Sequence, residues 1–280
     1  NGAGKTTLIR IINQITAPDE GRVTLGGEPL QQKHILNIGY MPEERGLYKS
    51  MKVGEQLLYL AQLKGMSRSD AKMQSEYWFE RLGINGWWDK KIQELSKGQA
   101  QKVQFIVTVL HRPKLLIFDE PFSGFDPINA NLIKDEILKL RDDGATIIFS
   151  THRMESVEAM CDHIALINKS NKILDGNLAE IKRNYRFNTY EVGLETINDT
   201  YEEQQQLSAA ILEGAANRWE VKPASFKSIH DNDLKLTIQL PEETSANDLL
   251  RYLTEKGMVN HFVEVIPSVN EIFIQTISSN

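Results

Sequence analysis

Cysteine is almost absent from the 280-residue sequence: Cys161 is its single instance. No internal disulfide can form, and the setting VEAMCDHIALI reads as that of a small buried hydrophobe rather than a nucleophile. No stretch approaches the roughly 18 uninterrupted apolar residues of a membrane-spanning helix, and no signal peptide is visible, so the chain reads as cytosolic. Basic residues are scarce in the last third. From Asn188 onward 6 Lys and Arg stand against 15 Asp and Glu, a net charge of −9, whereas residues 1–187 hold 26 against 23, or +3. Neither part supplies the clustered Lys and Arg that a phosphate backbone attracts, so no nucleic-acid partner is expected.

What is present fits one large or two modest globular domains, with 41% hydrophobic residues. Up to about residue 185, short β-rich runs alternate with helical ones, giving an α/β class. GRVTLGG and ILNIGYM read as strands. KLLIFDEP and ATIIFSTH are continuous apolar runs of the kind buried on both faces of a parallel sheet. Between ILNIGYM and KLLIFDEP, GEQLLYLAQLKG and DAKMQSEYWFERLG read as amphipathic helices, and a helical subdomain is expected at about residues 50–112. After RNYRFN the order becomes β-α-β-β-α-β, that of a small α+β, ferredoxin-like unit over residues 188–280. The closing SVNEIFIQTI reads as a helix with Val269, Ile272, Phe273 and Ile277 on one face.

The first residues, NGAGKTTLIRII, contain most of a phosphate-binding loop of the form G-x-x-x-x-G-K-[ST], with its opening glycine falling one place before Asn1. Gly2, Ala3 and Gly4 let the backbone curl so that N–H groups point at phosphate oxygens, aided by the positive end of the following helix. Lys5 would reach the β- and γ-phosphates, and Thr6 would place its hydroxyl on Mg²⁺. Leu8, Ile9, Ile11, Ile12 and Ile15 predict a buried helix directly after the loop. In KLLIFDEPFSGFD an apolar strand ends in Asp119 and Glu120, where a parallel sheet presents ligands. Asp119 is placed to hold Mg²⁺ and Glu120 to polarise the water that attacks a γ-phosphate. TIIFS, the next strand, ends at Thr151 and His152, which puts the histidine within reach of the same phosphate.

Taken in order, NGAGKTT, LSKGQ, LLIFDEP, SGFD and STH resemble the ATP-binding subunits of ABC transporters, P-loop NTPases whose cassette would span residues 1–187. The resemblance implies that Asn1, Gly2, Ala3, Gly4, Lys5, Thr6 and Thr7 bind phosphates of ATP. It further implies that Asp119 binds magnesium, that Glu120 is the general base, and that His152 contacts the γ-phosphate. Ser96, Gly98 and Gln99 would be the signature, completing the ATP site of a second subunit, and Asp126 the aspartate that crosses the dimer. Partners are then a homodimer or paired subunit around two ATP molecules and separate transmembrane permease subunits, with the protein peripheral on the cytoplasmic face of the plasma membrane. The bare residues agree in part: Ser96 offers a hydroxyl at a helix start, and Gly98 lets backbone approach an anion.

Two positions depart from the family pattern. Lys97 stands where glycine is most usual in the signature, and Glu43 stands where many relatives have the glutamine that joins magnesium to the membrane partner; a carboxylate there can still act through water. The stretch EERGLY and the acidic last third resemble sodium-export and related ATPases of type-two exporters. A soluble ABC ATPase of translation or DNA repair is the competing reading, disfavoured by one phosphate loop, one signature and too short a spacing between them for a coiled-coil insert. A regulatory nucleotide-binding module would be expected to lack Glu120 or His152. The sequence is expected to be a fragment, lacking the strand that feeds the phosphate loop and, by the resemblance, an upstream aromatic that stacks on adenine.

Overall fold

The computed structural model describes residues 2–44, 46–195, 201–215, 219–227 and 233–278. The chain divides into two compact units, residues 1–160 with 167–172 and residues 161–166 with 173–280. That division falls earlier than the boundary at 187 and 188 read from the pattern.

In the first unit, α1 (Lys5–Ile12) is followed by β1 (Thr24–Leu25), β2 (Glu28–Pro29), α2 (Gln32–Ile35) and β3 (Ile38–Met41). The insert α3 (Val53–Leu63), α4 (Arg68–Arg81) and α5 (Lys97–Val109) precedes β4 (Leu115–Asp119), α6 (Pro127–Asp142), β5 (Thr146–Ser150) and α7 (Met154–Met160). The expected GRVTLGG strand shrinks to β1, because Gly26 and Gly27 adopt φ of 60° and 84° and turn the chain straight back into β2. β3, β4 and β5 form a parallel sheet in that order, with Met41 beside Phe118 and Asp119 beside Ser150.

The apolar run Leu115–Asp119 is buried at every position because it is the middle strand. β5 is not buried on both faces as its composition suggested: it lies at the edge of the described sheet and exposes Ile148. α1 is likewise only partly covered. Ile9 and Ile12 pack on Ile38, Leu115 and Ile117, whereas Leu8 lies on another side of the helix and is exposed, and Ile15, expected on the same helix, falls in the turn beyond its end and is exposed too. The helical insert is locked to the sheet by a row of rings: Trp78 of α4 meets Phe105 of α5 edge-on at 5.6 Å, and Phe105 stacks on Phe118 of β4 at 6.0 Å. Each of these buried side chains contributes on the order of 1.5–3 kcal/mol by leaving water.

The second unit carries most of the hairpin β6 (His163–Asn168) and β7 (Asn171–Asn177), whose tip belongs to the first unit, then α8 (Leu178–Asn184). It continues with β8 (Thr189–Leu194), α9 (Tyr201–Ala215), β9 (Glu220–Pro223), β10 (Leu234–Gln239), α10 (Ala246–Thr254), β11 (Val259–Glu264) and α11 (Val269–Ser278). The last four strands pair antiparallel in the order β11-β8-β10-β9. Alternation along β8 buries Tyr190, Val192 and Leu194 against Ile211 of α9 and Leu249 and Leu253 of α10. The run WEVKPASFKSI, whose composition predicts a strand, forms β9 over Glu220–Pro223, and its Ser228 and Ile229 lie outside the described residues. α11 forms as expected, burying Val269 and Ile272. Cys161 is half-buried, and burial followed by the charge of Asp162 pushes its thiol up to about 11, so it is protonated at neutral pH.

Candidate functional site

Parallel pairing brings the carboxyl ends of β3, β4 and β5 to one edge of the sheet. Asp119, at the end of β4, is 1% exposed and accepts hydrogen bonds from Thr6 Oγ1 at 2.9 Å and from the hydroxyl of Ser150. The next residue, Glu120, turns into the left-handed region with φ of 49°, a conformation that costs free energy for any side-chain-bearing residue and gathers at functional sites. Its N–H donates to the Ser150 carbonyl at 3.0 Å. The carboxylate, 8% exposed, accepts from the His152 N–H at 3.0 Å and from the Thr151 hydroxyl at 3.2 Å. His152 Nδ1 stands 2.8 Å from the same Oε1 and donates to it when that nitrogen is protonated. Two adjacent acids are thus held separately, Asp119 toward the loop and Glu120 toward the histidine.

Gly2 and Gly4 have φ of 77° and 96°, the positive values a curling loop demands, and Gly4 forms the N-terminal cap of α1. Lys5 opens the helix and makes no ion pair among the described residues. Thr7 is exposed, Ala3 half-buried, and Asn1 lies outside the described residues. Among the described residues no group of three or more His, Cys, Asp or Glu is gathered to hold a metal alone. One hydroxyl and one carboxylate, Thr6 and Asp119, are the hard oxygen donors suited to Mg²⁺, which takes its other oxygens from substrate phosphates and water. Burial, then the charge of Asp119, raises the phenol of Tyr40 above its ordinary value, with Arg10 opposing.

A second group of residues gathers at the start of α5. Ser96 caps the helix, its hydroxyl accepting from Gln99 N–H at 3.3 Å while the Gln99 side chain accepts from Ser96 N–H at 2.9 Å. Gly98 lies against the loop after Glu120: a Cβ there would come within 3.3 Å of the Gly124 carbonyl. Asp126 caps α6, accepting from Ile128 and Asn129, and the Asn129 bonds chiefly hold its carboxyl below the usual range. No hydrogen bond links this group to the cluster at Asp119 among the described residues. Glu43 is exposed in the loop after β3, at the same sheet edge, and makes no hydrogen bond to Thr6 or Asp119.

Four participants escaped the reading of the sequence. Ser150 and Thr151 carry hydroxyls at the end of an apolar strand, a signal as visible as the histidine after them. Gln104 is buried within α5 and donates to the Pro42 carbonyl at 2.8 Å, tying the loop of Glu43 to the helix that begins at Ser96. Gly124 leaves the space over which Lys97 lies.

Residues 1–123 match the family described as ABC transporter, and residues 176–277 match the C-terminal domain of DrrA1-3-like ATP-binding proteins. An uncharacterized ABC transporter ATP-binding protein of Alkalihalophilus pseudofirmus is 38% identical over 100% of this chain and 97% of its own length. YhaQ of Bacillus subtilis, also an uncharacterized ABC transporter ATP-binding protein, is 40% identical over 100% of this chain and 87% of its own. The solved structure of an ATP-binding subunit of an ABC transporter superposes with a TM-score of 0.62 at 28% identity, covering 66% of this chain and 78% of that one.

Proposed function

This chain belongs to the ATP-binding proteins of ABC transporters, and from that premise we propose that it is the ATP-hydrolysing motor of an exporter whose cargo passes through separate membrane subunits. The observation that carries this is the pair of neighbouring acids with opposite partners: Asp119 bonded to Thr6 of the phosphate loop, and Glu120 bonded to His152. Backbone N–H groups of Gly2 to Thr7, with Asn1, cradle the phosphates, and Lys5 pairs with their charge. Thr6 and Asp119 would hold Mg²⁺, which when bound would supply positive charge for the transferring phosphoryl group. Glu120 accepts a proton from the attacking water, and His152 orients that carboxylate and contacts the γ-phosphate. Glu43 would act near such a metal through water.

Ser96, Gly98 and Gln99 face the γ-phosphate of ATP held by a second subunit, so two copies pair head to tail around two ATP molecules, with Asp126 crossing between them. The cassette is residues 1–187 with a helical subdomain at about 50–112. Residues 188–280 form a ferredoxin-like accessory unit, a reading supported by the strand order β11-β8-β10-β9, and it supports the dimer or its regulation rather than the chemistry. No helix among the described residues is long and apolar enough to cross a membrane, in keeping with a peripheral subunit on the cytoplasmic face. Sodium is the proposed cargo class, on the EERGLY stretch and the acidic last third alone. Single-turnover ATP hydrolysis by the purified protein, with and without its membrane subunits, tests the assignment: absence of hydrolysis in both would refute it.

A further inference from the structure

The short helix α8 divides its residues between two sides. Leu178 and Ile181 are buried, and the Tyr185 hydroxyl meets that of Thr276 in α11 at 3.1 Å, so this side holds the helix in place. Ala179, Lys182 and Arg183 recur at the spacing of another face, Arg186 follows one turn on, and together with Ile266 beyond β11 they line a cavity of about 450 Å³. The small Ala179 side chain leaves the space open, and the exposed Ile266 gives it an apolar wall. Every charged residue lining it is cationic. Glu264 reaches one of them, its Oε2 lying 3.5 Å from Arg186 Nη1, longer than a good charge-assisted hydrogen bond. Lys182 and Arg183, in the last turn, suit the negative end of their own helix. That accounts neither for Arg186, which lies past the helix end, nor for three like charges turned onto one cavity, since like charges a turn apart repel. No general excess of cations explains the cluster either: from Asn188 onward 6 Lys and Arg stand against 15 Asp and Glu.

We infer that this cavity binds a phosphate group, held by Lys182, Arg183 and Arg186, with the carbon-bearing side of the ligand toward Ile266. Arginine offers forked N–H donors to phosphate oxygens and lysine a point charge. Three cations match a single phosphate, whereas a nucleic-acid backbone needs many such contacts along its length. Two sources present this chemistry, the headgroup of an anionic membrane lipid and a soluble phosphate compound; the exposed Ile266 and Phe187 suit the first. The inference does not depend on ATP hydrolysis, because these residues lie in the second compact unit, apart from the phosphate loop.

The test uses the full chain without nucleotide. Co-sedimentation with vesicles of phosphatidylcholine, alone or mixed with phosphatidylglycerol, reads the lipid source, and equilibrium dialysis against labelled pyrophosphate reads the soluble one. In both, what counts is the binding that substitutions at this cavity remove, which leaves aside any pyrophosphate taken by the phosphate loop. Lys182→Gln with Arg183→Gln and Arg186→Gln should weaken one of the two at least about tenfold, since each cation near an anionic surface contributes several-fold, and more salt should weaken the parent in the same way. Lys182→Arg with Arg183→Lys and Arg186→Lys keeps every charge and should keep most of the binding. Ala179→Glu puts a carboxylate into the cavity from an exposed helix position and should abolish binding, which decides the matter if the triple Gln variant fails to fold. A loss confined to the phosphatidylglycerol vesicles assigns the lipid headgroup, and one confined to pyrophosphate assigns the soluble ligand. If the triple Gln variant and Ala179→Glu take up both probes as the parent does, or if the parent takes up neither, the inference is wrong.

Discussion

Glu120 and His152 meet twice at one oxygen: Oε1 accepts the His152 backbone N–H at 3.0 Å and stands 2.8 Å from the imidazole Nδ1 of the same residue. The backbone bond fixes where the carboxylate sits, and the ring, with its side chain 64% exposed, is free to exchange that contact for another. A carboxylate so placed is available to a water on its exposed side. Glu120→Gln should leave ATP binding intact and slow single-turnover hydrolysis by a factor of ~10² to 10⁴, the range for a positioned base. Lys5→Ala should weaken binding itself. Unchanged turnover in the Glu120 variant would remove it from the role of base.

Arg81 of α4 and Glu136 of α6 make a paired contact, Nε and Nη2 lying 2.8 and 2.6 Å from Oε2, with Lys139 at 3.2 Å from the other oxygen. Glu136 is 5% exposed on its side chain, so removing the arginine leaves a buried carboxylate with the exposed Lys139 as its ion-pair partner. Arg81→Met should cost about 3 kcal/mol, and Arg81→Met with Glu136→Leu should recover most of it, because the under-compensated buried charge and not the missing bond dominates the penalty. Urea unfolding of the three proteins decides it; a double variant no more stable than the single one would contradict the expectation.

The neighbourhood of Asp119 was legible in the sequence because each part has its own local signature. A short apolar run of this length favours a strand of a parallel sheet, and acids at its end then favour the ligand-binding edge of that sheet. The Arg81–Glu136 pair was not legible, since its members lie 55 positions apart and each looks like an ordinary charge on a helix surface. The exposure of Leu8 and Ile148 was missed for a related reason: composition reports that a segment is apolar, but not which of its sides a neighbour covers. Gly124 shows the opposite limit. Its loop was recognised, yet what favours glycine there, a backbone φ of +88°, is set by the turn the loop makes in the fold.

The last third contains no phosphate loop or nucleophile pattern, and its core of Val192, Leu194, Ile211, Leu236 and Leu249 is its own. A chain ending after residue 187 should therefore keep ATP binding and hydrolysis, while its ATP-driven dimer weakens. Nucleotide titration and sedimentation on the folded truncation measure the two separately. Loss of all ATP binding would mean that this part contributes to the site directly.

His111 sets a pH dependence that is independent of the acids at the sheet edge. It lies just past α5, where its Nε2 is 3.3 Å from the Ile38 carbonyl and its Nδ1 is buried with no hydrogen-bond partner among the described residues. Lys64 donates to that same carbonyl at 2.9 Å and to Ile35 at 2.7 Å. Burial first, and the Lys64 charge second, lower the imidazole from 6.5 to about 4. The unfolded chain therefore takes up a proton at a pH where the folded chain refuses it. Stability should be level above about pH 7, fall as pH drops through 6.5 toward 4, and owe at most about 3 kcal/mol of that loss to this group. His111→Gln removes the titration while retaining an amide donor for Ile38, so the fall between pH 7.5 and 5 should shrink. Lys64→Met should shrink it in part, by removing the charge that helps keep the ring neutral. Denaturation midpoints across that interval, compared among the three proteins, are the measurement. If His111→Gln loses stability with the same slope as the parent, then another group controls the acid side and the ring is already neutral for reasons that folding does not change.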